Sequence, residues 1–106
     1  MKQGYYEEHW VDSNGNPAGG VSTGTGFTIS WQNGPLGRGE TRRVPNGAFV
    51  EDLIQAVIGR IRFYQVNRFA CVENAEALYA LELAAEALDR RARDREAHIV
   101  EGTHTV

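Results

Sequence analysis

Residues 45–65 read PNGAFVEDLIQAVIGRIRFYQ, and this stretch decides the fold. Val50, Ile54, Val57, Ile61 and Tyr64 recur at helical spacing, and Phe49, Leu53 and Ala56 widen the apolar band. Asn46, just after Pro45, has the side-chain oxygen that an N-cap needs. A helix is predicted over 46–65. Toward the N-terminus the composition changes: residues 1–45 hold nine of the twelve glycines, whereas 46–99 hold only Gly47 and Gly59 and no proline. Phe27 to Gln32 alternates as a strand, with Phe27, Ile29 and Trp31 on one face and Thr28, Ser30 and Gln32 on the other. Asn33-Gly34-Pro35 ends it. Tyr5 to Val11 and Thr41 to Val44 are its expected companions, joined through the turn-rich Ser13 to Pro17 and Leu36 to Gly39 segments. Toward the C-terminus, Val66 to Cys71 links to a second helix, capped by Asn74, running to about His98 and stopped by Gly102. The fold class is α+β: an N-terminal antiparallel sheet followed by two long antiparallel helices, oligomerising through sheet and helices. One domain spans 1–106, with strands and turns over 1–45, helices over 46–65 and 74–98, and a tail over 99–106.

The 106 residues leave room for one small core. A net charge of −3 argues against a sequence-independent binder of nucleic-acid polymers, which relies on a broad basic surface. Of eleven basic residues only Lys2 is lysine. Arginine suits bidentate recognition of phosphate or carboxylate, and a GC-rich genome produces the same bias. The single cysteine, Cys71, excludes an internal disulfide and a cysteine-based zinc site. Beside Phe69, Ala70 and Val72 it is expected to be a buried thiol. There is no apolar run long enough for a membrane span and no apolar signal core in residues 1–8, so the expected compartment is the cytosol.

The second helix carries two apolar rows. Leu78, Leu81, Ala85, Leu88 and Ala92 form one, and Ala77, Ala80, Ala84 and Ala87 the other. One partner helix does not cover so wide a band, so a dimer or a multiple of dimers is expected. Gly24-Thr25-Gly26 precedes a strand rather than opening a helix, which removes the context of a phosphate-binding loop.

Four arginines fall within six positions near the end of that helix. Arg90 follows Glu86 and Arg93 follows Asp89 by four residues, the favourable order for helical ion pairs, and both read as surface. Arg91 instead extends the alanine row and Arg95 the leucine row, with like charges one turn apart. Two such cations need an anion from elsewhere or must reach water. A ligand phosphate and an acidic residue of another segment both answer that need. His9, His98 and His104 are too scattered for a metal site, no serine lies in a nucleophile elbow, and Glu73 with Glu101 or His104 shows no distinctive acid–base spacing. No enzyme, metal or cofactor is expected.

The segments Asn46 to Ile54, Arg62 to Gln65, Phe69 to Ala75, the Arg90-Arg91 to Arg95 cluster and Val100 to His104 together resemble the first-described family of phage Thoeris anti-defence proteins. The match covers about residues 26–104. The resemblance implies a homo-oligomeric sponge that sequesters a cyclic ADP-ribose isomer without cleaving it, and in some members also cyclic oligonucleotides of the related CBASS defence. It implies that Tyr64 stacks on the adenine, where the family more often has Phe, so the tyrosine adds a hydroxyl. Asn74 and Arg91 are the matching ligand contacts, with Arg95 and Thr103 contributing to a diphosphate cradle. Arg42 and Arg43 are candidates for a second site. From the residues alone, Tyr64 can also be read as core and Asn74 as only a cap. Asn74 and Arg91 lie about 25 Å apart along one helix, so a small ligand touching both implies a site shared across a dimer.

Overall fold

The computed structural model describes residues 4–37 and 39–101, and of residues 41 and 95–101 the backbone only. Between Phe49 and Val50 the chain divides into a sheet unit and a helical unit. In the first unit, the Asp12 carboxylate accepts the amides of Asn14 at 2.8 Å and Asn16 at 3.0 Å, which closes a turn. This turn joins β1 (Tyr6–Val11) to β2 (Pro17–Gly24), and Thr25-Gly26 joins β2 to β3 (Phe27–Trp31). The three strands form an antiparallel meander in the order β1-β2-β3.

β2 is the strand that the sequence reading passed over, because Pro17, Gly19 and Gly20 look like linker. Pro17 is tolerated as the first strand residue, where it owes the ladder no amide. Gly20 sits between His9 and Trp31 with φ +148°, and a Cβ there would run into the Glu8 carbonyl. The glycine therefore marks the close approach of a neighbouring strand. On one sheet face Ser22 is buried and accepts the Trp31 indole N–H at 2.9 Å. Ile29 and Trp31 are half-buried as expected, whereas Phe27, at the end of the same row, is exposed.

The strand expected over Thr41–Val44 does not form. Residues Gly39–Thr41 make a 3₁₀ turn. The amides of Arg42 and Arg43 bond to the carbonyls of Gly39 at 3.2 Å and Leu36 at 2.6 Å, so neither donates to a ladder. Arg42 and Arg43 are thus loop residues rather than alternating strand residues. Instead Ala48 pairs with the end of β3: its amide donates to Ser30 at 2.7 Å and its carbonyl accepts from Gln32 at 3.0 Å. Asn46 fixes this junction rather than capping a helix. Its side chain accepts the Asn33 amide at 2.8 Å and donates to the Asn33 carbonyl at 3.1 Å. Gly47 completes the junction, because a Cβ would lie 2.5 Å from the Trp31 carbonyl.

The second unit is a helical hairpin of α1 (Val50–Gln65) and α2 (Val72–Glu101), packed on each other. The buried face of α1 is turned from the expected stripe. Ile58, 2% exposed, lies at its centre, with Ile54 and Ile61 on either side, while Val50 and Val57 stay about half exposed at 48% and 47%. A single partner helix covers a band of i, i+3/4 and i+7 positions, and Val50 and Val57 fall on its flank. From α2 the leucine row meets this band, with Leu78, Leu81, Ala85 and Leu88 half-buried. The alanine row splits: Ala77 and Ala84 are half-buried, Ala80 and Ala87 exposed beside the exposed Tyr79 and Leu83. Arg62 and Glu82 cross between the helices at 3.4 Å.

α2 starts two residues before the expected cap. Its first turn is bound by Ala75 N–H to the Cys71 carbonyl at 3.3 Å, so Asn74 lies inside the first turn. Cys71 is exposed, contrary to expectation, because it belongs to the connection between the helices. The Gln65 side chain holds it there, accepting its amide at 2.9 Å and donating to its carbonyl at 3.1 Å. Gly102, expected as the helix stop, lies outside the described residues. No described helix is long and apolar enough to cross a membrane.

Candidate functional site

The connected end of the hairpin gathers three aromatic rings and two arginines. Asn67 shapes it: its side chain donates to the Phe63 carbonyl at 2.6 Å and accepts the Phe69 amide at 2.9 Å. The Tyr64 ring, half-buried, lies 6.2 Å from the Phe63 ring and 6.3 Å from the Phe69 ring, the latter edge-on at 71°. The Arg60 guanidinium stands 5.1 Å from the Tyr64 centroid and 5.2 Å from that of Phe63, and its Nε donates to the Tyr64 hydroxyl at 3.2 Å. Arg68 covers the Phe69 ring at 5.3 Å. Phe63 and Phe69 are 55% and 60% exposed, so flat apolar faces edged by cations remain open to solvent. Such a surface suits a planar, electron-rich ring on an anionic ligand.

Asn74 belongs to the same end. Its Nδ2 donates to the Phe69 carbonyl at 3.1 Å, which ties it to the loop carrying the ring beside Tyr64. Two of the sequence-derived site residues, Tyr64 and Asn74, therefore share one neighbourhood. Arg91 does not join them. It lies on the uninterrupted α2, about 25 Å along the axis from Asn74. Its side chain is exposed and makes no ion pair among the described residues, whereas Arg93 pairs with Asp89 at 3.5 Å. Arg90, expected to pair with Glu86, likewise makes no ion pair among the described residues. A groove between α1 and α2, lined by Glu51, Asp52, Glu86 and Asp89 and not by Arg91, is acidic and repels phosphate. The side chain of Arg95 lies outside the described atoms, and Thr103 outside the described residues.

In the sheet unit, Arg43 is committed to its own loop, its Nη2 donating to the Pro35 carbonyl at 2.7 Å. Arg42 stays exposed. The sequence reading missed Arg60, Phe63, Arg68 and Phe69 as neighbours of Tyr64. The signal for Arg60 was its place one turn before Tyr64. It missed also an acceptor cluster on β1, where the Tyr6 hydroxyl and the Trp10 indole both donate to the Glu8 carboxylate, the latter at 2.6 Å. The hydrogen bond from Tyr6, then that from Trp10, holds the Glu8 carboxyl below its usual value, and the same bond pushes the Tyr6 phenol up.

A two-helix hairpin with an aromatic, arginine-edged connected end is the class that this geometry defines. The chain belongs to the Acb2/Tad1 hairpin-domain family, whose model matches residues 25–93. It is also 43% identical over 77 residues to a protein of Bacillus phage SBSphiJ7 named Thoeris anti-defense 1, a match that covers 73% of this chain. The chain spans about half the length of that curated relative, 51%.

Proposed function

We propose that this is a phage anti-defence protein that binds a cyclic ADP-ribose isomer, the glyco-cyclic form, and holds it intact, so that Thoeris signalling fails. The observation that carries the reading is the Tyr64 cluster, an aromatic face edged by guanidinium groups, in a chain of the Acb2/Tad1 hairpin family. The name of the phage relative supports anti-defence as the purpose. In this reading Tyr64 stacks on the adenine, Asn74 contacts the ligand from the first turn of α2, and Arg91, Arg95 and Thr103 supply donors to the diphosphate. A diphosphate requires charge-assisted donors, and an exposed guanidinium without an ion-pair partner among the described residues, as at Arg91, is suited to provide one.

The distance between Asn74 and Arg91 supports a ligand held between subunits, with the Arg91 end of one chain meeting the Tyr64 end of another. The exposed Tyr79, Ala80, Leu83 and Ala87 of α2 offer surface for such a dimer or a multiple of it. Cyclic oligonucleotides of CBASS signalling are a second cargo, with Arg42 and Arg43 as its candidate contacts, Arg42 being the freer of the two. The protein would act in the cytoplasm of the infected host, as a binder and not an enzyme. That same α2 surface favours one other reading, a non-catalytic protein–protein interaction module. Calorimetric titration with cyclic ADP-ribose isomers separates them. Saturable binding supports the sponge, and an oligomer that takes up none of the isomers supports the interaction module.

A further inference from the structure

We propose that Arg60 is a positioning residue that sets Tyr64 as a stacking platform and makes its hydroxyl a directed hydrogen-bond donor. The inference rests on the nucleotide-binding reading of Tyr64. Arg60 precedes Tyr64 by one helical turn, so both side chains leave the same side of α1. One guanidinium serves two rings, 5.1 Å from Tyr64 and 5.2 Å from Phe63, and its Nε–H is spent on the phenol oxygen at 3.2 Å. On the other side the Phe69 ring stands edge-on to Tyr64, and Asn74 and Asn67 fasten the loop that bears it. Tyr64 is thereby held between a cation and a ring edge.

The consequences follow from what each group still has to give. A phenol oxygen that accepts from Arg60 keeps its own O–H proton, which is left to donate to a ligand acceptor such as a ribose or phosphate oxygen. A ring fixed in one rotamer presents its face without the loss of rotamer freedom that binding otherwise imposes. Arg60 contributes to affinity through Tyr64, and the hydroxyl that distinguishes Tyr64 from a phenylalanine is the handle. It is therefore more than an addition to a stacking ring.

Titration with a cyclic ADP-ribose isomer tests this in four proteins: the unaltered chain, Arg60→Gln, Tyr64→Phe and the double variant. Arg60→Gln should weaken binding about three- to tenfold, the range one lost hydrogen bond spans, with thermal unfolding unchanged because Arg60 and its bond to the Tyr64 hydroxyl are exposed. In the Tyr64→Phe background the same substitution should cost clearly less. In the free protein, the Arg60 Nε–H NMR signal should be displaced by Tyr64→Phe. Equal losses in the two backgrounds, or no loss in either, overturn the proposal while leaving the nucleotide reading intact. If the unaltered chain binds none of the isomers, that reading and the role of Arg60 in it both fail, and the Nε–H signal alone still reports whether the clamp exists.

Discussion

Tyr64 was legible in the sequence as a helix-stripe residue, and its proposed role as a stacking ring comes from the family resemblance. Its surroundings were not, because Phe69 reaches it across the connection and Arg60 along the helix surface, and both depend on where α1 ends. Asn74 shows how a local rule misleads. Asparagine is a strong cap, yet Gln65 reaches over to Cys71 and starts α2 earlier, so the Asn74 side chain bonds back to Phe69 instead. Arg91 was legible as a charge out of place and remains so, exposed and without an ion pair among the described residues. Replacing it tests the proposed role at this scale. Arg91→Ala should lose most of the affinity for a cyclic ADP-ribose isomer, roughly tenfold or more for a charge-assisted contact, while gel filtration shows an unchanged oligomer. Dissociation of the oligomer with affinity retained would assign the residue to assembly.

At the scale of elements, the hairpin was read from periodicity alone, but the face that α1 buries was misjudged by part of a turn. Counting Val50 and Val57 into the stripe overlooked Ile58, since hydrophobic spacing locates a band and the partner helix selects its centre. Ile58→Ala should therefore cost about 2–5 kcal/mol in urea unfolding followed by helical circular dichroism. Val57→Ala, at an exposed position, should stay within about 1 kcal/mol, and the reverse order would show the face to be wrongly assigned. In the sheet, β2 escaped notice because its glycines serve close strand approach, which composition does not separate from a turn. The acceptor cluster on β1 gives a pH signature. Glu8 is held below its usual carboxylate value, so what it contributes is present above that value and is lost as pH falls through the lowered one. The Trp10 indole N–H signal should titrate with a midpoint below the ordinary glutamate value, and a midpoint at or above it would mean that Tyr6 and Trp10 do not bond to Glu8.

For the whole molecule, the family was legible because its model matches residues 25–93, the part dominated by the helices and by β3. What a single chain does not bring together are the proposed contacts, with Tyr64 and Asn74 at the connected end of the hairpin and Arg91 about 25 Å along α2 from Asn74. The account therefore requires a complex of at least two chains for each ligand pocket, and it requires that the pocket hold its cargo without altering it. The most direct test mixes purified protein with the glyco-cyclic ADP-ribose isomer, removes unbound ligand by gel filtration, releases what remains by heat and identifies it by chromatography and mass. The account predicts stoichiometric recovery of the intact isomer from an oligomeric fraction. Recovery of a cleaved product, or of no nucleotide at all, would contradict it.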